Sequence, residues 1–220
     1  MSAAIDYMEA RAIDPQIAAE LGVKGEPPNN RASELHLPNG RRRVLKTGRV
    51  LQPKGKQLEA WWIPPPEEPS WEAVLVCEGE SDALAARSYL PYVVESSGLR
   101  HLPILCIPGT GFPVERLRNE LVGRVREALI ATDADEAGEA YYARAHDELV
   151  DVGIRPVRVE AEPDLAEWLA NMPEAHRPFR LADLLVDCAA AAPDLEQLAR
   201  LRVARLLREE ANQLELEAAA

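Results

Sequence analysis

Two acidic turns limit what this chain can fold into. The first, VLVCEGESD, runs from Val74 to Asp82, and the second, ALIATDADEAG, from Ala128 to Gly138. Each is an apolar β-type run that ends in carboxylates, has a glycine close by and leads into helix-favouring sequence. Parallel α/β sheets place their ligand sites outside the carboxyl ends of the strands. If the two strand ends are neighbours, Glu78, Asp82, Asp133 and Asp135 meet in one crevice. Carboxylates crowded in this way need a counter-charge, and a hard divalent cation with oxygen ligands supplies it. Mg²⁺-dependent phosphate chemistry is the leading expectation.

The surrounding pattern supports such a sheet. From Glu72 the chain alternates strand and helix: strands at Ala73–Cys77, Ile104–Ile107, Ala128–Thr132 and Pro156–Val159, with helices at Asp82–Tyr89, Pro113–Val122, Glu136–Val152 and Leu165–Asn171. That alternation predicts a parallel sheet with right-handed crossovers. Tyr92–Ser96 reads as an extra edge strand. Upstream, DYMEARAI and DPQIAAELGV carry helical spacing, with Asp14-Pro15 as a start signal and Gly22 as a stop. The polar stretch GEPPNNR follows. Strand-like runs broken by Asn39-Gly40, Lys54-Gly55 and prolines then predict a small β-rich subdomain up to about residue 66, with Pro64–Pro69 as a linker. Pro193 opens a final helix to about Leu214. The expected division is therefore 1–70, 71–175 and 176–220.

Composition narrows the class. At 47% apolar and 28% charged, the chain has an ordinary soluble, globular balance, and no apolar run is long enough to span a bilayer. The first residues lack a signal peptide's apolar core, so a cytoplasmic location without a membrane partner is expected. Cys77, Cys106 and Cys188 form no CxxC pair, which excludes a zinc ribbon, and their odd number argues against a disulfide framework. Cys77 and Cys106 fall in strand-like runs and are expected as buried thiols. The four histidines show no ligand spacing. Trp61 and Trp62 are expected as packing anchors.

Charge is unevenly spread. Arg41, Arg42, Arg43, Lys46, Arg49, Lys54 and Lys56 fall in a stretch without an acid, although the chain's net charge is −12. A basic patch on an acidic body suits local contact with phosphates. Taken alone, it reads first as a solvated, twisted hairpin with its charges on the outer face.

The combined motifs resemble the TOPRIM domain of topoisomerases, primases and small nucleases over roughly residues 72 to 172. That family carries a glutamate at the end of its first strand and a DxD at the end of a later one, here Glu78, Asp133 and Asp135. The glycine turn IPGTGF, with Gly109, matches the family's order of elements. Gly79 and Gly138 lie at the two acidic turns. Within the family, bacterial and phage replicative primases are most similar: LPNGRRRVLKTGRVL resembles their small subdomain, and EPDLAEWL resembles a later acidic motif that offers Asp164, and Glu167, as further ligands. Pro163 stands where a lysine is often seen, and the primases' zinc-binding module has no cysteine set here.

The resemblance implies a Rossmann-like parallel sheet with helices on both faces, a small N-terminal α+β subdomain and C-terminal helices. It implies Glu78, Asp133 and Asp135 as catalytic, with Asp82 and Asp164 beside them as metal ligands for Mg²⁺ or Mn²⁺, two ions in all. The activity implied is primer synthesis on single-stranded DNA from NTPs, with the basic run holding phosphates and a replicative helicase or zinc-binding subunit as partner. A TOPRIM nuclease using the same acids, or a non-catalytic replisome-binding module, remains open at this point.

Overall fold

The computed structural model describes residues 3–29, 32–63, 71–97 and 102–194. The chain opens with two short helices, α1 (Ala3–Ala10) and α2 (Pro15–Glu20). Asp14 caps α2 by accepting from the Gln16 and Ile17 N–H groups, and proline occupies the first turn, where its missing N–H costs nothing. Four strands follow as an antiparallel sheet in sequence order: β1 (Lys24–Asn29), β2 (Ala32–His36), β3 (Arg42–Val44) and β4 (Val50–Leu51). The GEPPNNR stretch expected to be a connection thus contributes β1. Its two prolines are tolerated because β1 is an edge strand, and the register shifts between Glu26 and Asn29.

The second sheet holds five strands in the order β5-β7-β6-β8-β9: β5 (Trp61–Ile63), β7 (Ile104–Ile107), β6 (Ala73–Glu78), β8 (Glu127–Ala131) and β9 (Arg155–Arg158). The last four are parallel, and β5 runs antiparallel to β7 at the edge. Sequence reasoning placed the β5 segment in the small subdomain. It belongs to the large sheet because its tryptophans point to opposite faces, Trp61 packing on one core and Trp62 on the other. Trp62 also stacks on Trp71 at 5.5 Å and donates to Glu120 at 3.0 Å, so both indoles are packing anchors.

Alternation along the strands makes the two cores. Leu75, Cys77, Ile104, Cys106, Leu129 and Ala131 face one, closed by α1, α2, α3 (Glu80–Ser97), α6 (Leu165–Ala170) and α7 (Arg177–Ala191). Val74, Val76, Leu105, Ile107, Ala128 and Ile130 face the other, closed by α4 (Val114–Leu121) and α5 (Glu136–Asp151). The two strand cysteines are buried and free. The expected edge strand at Tyr92–Ser96 is instead the last part of α3. Pro91, which the sequence offers as a stop signal, lies inside that helix and does not end it. The Pro64–Pro69 linker and the final helix beyond Asp194 lie outside the described residues. No helix among the described residues is long and apolar enough to cross a membrane.

Candidate active site

The sheet order fixes where chemistry can occur. The chain passes from β6 to β7 on one side, then crosses to β8 on the other, so the β6/β8 boundary is the switch point of this sheet. Cys77 is level with Ala131 in the β6/β8 register, which carries Glu78 and the residues after Ala131 out at the same end. The Asp133 N–H donates to Glu78 Oε2 at 3.2 Å. The two acidic turns therefore meet, the condition that their strands be neighbours being met by the β6/β8 pairing.

Each turn has a local reason. Gly79 adopts φ +98°, a backbone conformation that side-chain-bearing residues resist, and so lets β6 turn sharply into α3. At the other turn, Asp135 caps α5 by accepting from Gly138 N at 2.7 Å. A Cβ on Gly138 would lie 2.1 Å from the Asp133 carbonyl oxygen, so only glycine lets the helix start this close to the strand end. Gly109 closes the turn after β7, its N–H donating to the Ile107 carbonyl at 2.9 Å.

Two further acids complete the crevice. Asp82, in the first turn of α3, is buried and accepts from Ala166 N at 2.9 Å. Asp164 follows β9, caps α6 through Glu167 N at 2.7 Å, and pairs with Arg11 at 2.8 Å. Glu167 is exposed and reaches Arg11 only at 3.5 Å. The Ala134 N–H donates to the Pro163 carbonyl at 2.8 Å and ties the loop after β8 to the one after β9.

These acids act on one another. Burial pushes the Glu78 carboxyl above its ordinary range, and the Asp133 charge adds to this while the Asp133 N–H opposes it. Asp133 is raised by burial and then by Asp164 and Asp135, with Arg11 and Arg158 pulling the other way. Asp82 is raised well above its usual value, first by burial and then by Asp164. Carboxylates held under such repulsion favour a cation.

The donor set fits a hard divalent ion in kind, since Glu78, Asp133 and Asp135 offer only carboxylate oxygens. Asp133 is the most available, because its side chain takes no hydrogen bond among the described residues. No three His, Cys, Asp or Glu side chains among the described residues are gathered closely enough to hold an ion as they stand. Asp82 and Asp164 are turned to backbone N–H groups and, for Asp164, to Arg11.

The basic run divides into two. Arg41 is largely buried and paired with Glu80, itself buried and also receiving Asn39 Nδ2 at 3.2 Å. Arg42 pairs with Glu34 at 3.0 Å, and Arg43 donates to the Gly48 carbonyl at 3.3 Å and lies over the Tyr7 ring at 5.8 Å. Lys46, Arg49, Lys54 and Lys56 are exposed, and their side chains have no hydrogen bond or ion pair among the described residues. The Arg41–Glu80 pair joins the hairpin base to the chain between Glu78 and Asp82.

Sequence reasoning missed Glu80, Arg11 and Arg158. Arg158 donates to Thr132 Oγ1 and pairs with Glu139 beside the second turn. Its position as the last residue of β9, the strand beside β8, is a signal that could have found it. Arg11 meets Asp164 across 153 residues, and no local pattern announces that contact.

The Toprim domain family matches residues 73–160. No curated protein sequence matches the chain. Among solved structures, the DnaG primase catalytic domain bound to ssDNA is similar at TM-score 0.56 and 16% identity, covering 86% of this chain and 75% of that one. The primase fragment of the bacteriophage T7 primase-helicase gives 0.55 and 16%, covering 78% and 71%. A DNA primase domain from Pseudomonas aeruginosa gives 0.54 and 16%, covering 80% and 70%. At these identities the likeness is one of fold. Residues 73–160 of this chain are a Toprim domain, set within a fold similar to that of primase catalytic cores.

Proposed function

We propose that this protein is a primase-type nucleotidyltransferase that joins NTPs on a single-stranded DNA template with Mg²⁺ or Mn²⁺, two ions in all. The observation that carries the reading is the meeting of Glu78 and Asp133 at the switch point of the sheet. The primase domains of similar fold, one of them described as bound to ssDNA, support the template class.

Asp133 and Glu78 would hold the metal first, with Asp135 completing the set. Bound there, divalent ions supply Lewis acidity that activates a 3′-hydroxyl and neutralises charge on the leaving diphosphate. In the metal-free protein the Asp133 N–H orients Glu78 and the Gly138 N–H orients Asp135, and the acids would draw closer around an ion. Asp82 and Asp164 stand at the margin. Asp82 anchors the start of α6, which keeps Asp164 beside the other acids.

Positive charge for the triphosphate and template backbone would come from Lys46, Arg49, Lys54 and Lys56. Arg41 serves in this reading as the strut that fixes the hairpin base beside the acids. A replicative helicase or a zinc-binding subunit would be the partner. Incubation with single-stranded DNA, Mg²⁺ or Mn²⁺ and labelled NTPs tests the proposal. New short oligomers are the expected product. Shortened template would point to a nuclease using the same acids, and binding without either product would leave an assembly module.

A further inference from the structure

Most charged groups at the crevice are acids, yet the metal-free fold brings them together. Something must offset the repulsion. Arg11 emerges from the end of α1 and places Nη2 2.8 Å from Asp164 and Nη1 3.5 Å from Glu167. Its charge also reaches Asp82 and Asp133. Arg11 Nε is buried without a hydrogen-bond partner, so the guanidinium is partly desolvated and engages the acids through its terminal nitrogens. α1 is held there by a second contact, Tyr7 Oη to Ser81 Oγ at 2.8 Å, in the first turn of the helix that bears Asp82. The helix that delivers Arg11 is thus docked on the crevice from two sides.

We infer that Arg11 is the internal counter-cation of the acidic crevice: it holds Asp164 and the neighbouring acids together without metal and competes with an incoming divalent ion for their charge. The inference rests on the metal-dependent reading above. A fixed positive charge beside a cation site weakens that site by Coulomb repulsion, and it keeps both Asp164 oxygens engaged, Oδ1 by Glu167 N and Oδ2 by Arg11. α1 thereby sets the metal affinity of a site in another part of the chain. Arg11 is a positioning residue, since it touches the acids and not the reacting groups.

Two variants separate this from a purely structural role. Arg11→Gln removes the charge and shortens the side chain while leaving a polar amide, and Arg11→Lys keeps the charge. Metal binding is read directly by electron paramagnetic resonance of free Mn²⁺, with thermal unfolding measured with and without Mg²⁺. Arg11→Gln should melt lower than the wild type without metal, bind Mn²⁺ several-fold more tightly and gain more from added Mg²⁺; Arg11→Lys should remain close to the wild type in all three. If Arg11→Gln folds and binds Mn²⁺ as the wild type does, or more weakly, the inference is overturned. If it fails to fold even with Mg²⁺, Arg11→Lys decides: wild-type stability and affinity support a charge role, while a large loss of stability assigns Arg11 to packing. If neither the wild type nor Arg11→Gln binds Mn²⁺, the metal-dependent reading falls, and the competition with it; binding by the wild type that is unchanged in the variant removes only the present inference.

Discussion

The acidic crevice and the basic hairpin carry opposite charges, and the fold treats them differently. Glu78, Asp82, Asp135 and Asp164 each accept a backbone N–H, from Asp133, Ala166, Gly138 and Glu167 respectively. Lys46, Arg49, Lys54 and Lys56 of the hairpin make no side-chain hydrogen bond or ion pair among the described residues. A carboxylate that accepts from a strand end or a helix start is oriented by the same hydrogen bonds that build the fold. A lysine on a short loop is placed only by its tether. The difference implies that the acids are preorganised for chemistry that requires fixed geometry, whereas the hairpin cations suit a flexible polyanion, where charge matters more than position.

The largest effect should come from the preorganised side. Asp133→Asn and Asp135→Asn are expected to lower nucleotidyl transfer by about a hundredfold to a thousandfold, the scale of losing a group on which transition-state charge depends. Asp135→Asn retains a side-chain oxygen to cap α5, and Asp133→Asn relieves like-charge repulsion, so melting temperatures should stay level or rise. Activity measured at saturating Mg²⁺ alongside thermal unfolding makes the test; undiminished transfer in both variants would remove the carboxylate site.

The contact that joins the two regions comes next. Glu80→Gln leaves Arg41 buried with its charge uncompensated, and breaking a buried pair in this way costs about 3–5 kcal/mol. Denaturant unfolding should show that loss. A cost under about 1 kcal/mol, the range of an exposed pair, would mean the hairpin base is not anchored there.

How far the sequence disclosed this arrangement depends on the range of each interaction. The β6 and β8 runs, their glycines and the strand-helix alternation are local or periodic, and the structure has them close to the expected bounds. The meeting of Glu78 with Asp133 was expected on the condition that their strands are neighbours, which the pairing of β6 with β8 meets. Tyr92–Ser96 differs from the expected strand because β-branched residues in a short apolar run fit strand and helix equally, and α3 continues through it. β5 went to the wrong sheet because strand pairing is non-local. The roles of Arg11 and Glu80 were hidden for the same reason, since their partners lie 153 and 39 residues away. Dense local charge identified the hairpin run without showing that Arg41 within it was already committed.

The pH response distinguishes the regions more gently. Glu78, Asp82 and Asp133 all take up protons more readily when folded, chiefly through burial. The folded state then binds more protons than the unfolded one between the ordinary carboxylate values, about 4, and the raised folded values. Their contribution to stability is fully present below that window and is lost as pH rises through the folded values. Metal-free protein should therefore lose stability relative to Asp133→Asn as the pH is raised towards neutral, and Mg²⁺ should flatten the difference. Melting curves of the two proteins across pH, with and without Mg²⁺, check this; parallel profiles without metal would mean that the crevice carries no net repulsion.

The smallest effect on the fold, and the sharpest test of the comparison, belongs to the hairpin cations. Arg49→Glu and Lys54→Glu remove no side-chain hydrogen bond or ion pair among the described residues, so each should change stability by no more than about 0.5 kcal/mol. Affinity for single-stranded DNA should nevertheless fall, and its dependence on salt should flatten, because each lost phosphate contact releases fewer counterions. For single strands the slope changes by about 0.7 per contact, so Arg49→Glu and Lys54→Glu together should show a shift of more than 1 in a log–log plot. Arg42→Glu supplies the contrast: Arg42 is already paired with Glu34 at 3.0 Å, and its reversal should disturb that pair more than the salt slope. Equal slopes for the wild type and the Arg49/Lys54 double variant would return the free cations to ordinary solvated surface, and the crevice would need another source of positive charge for its triphosphate.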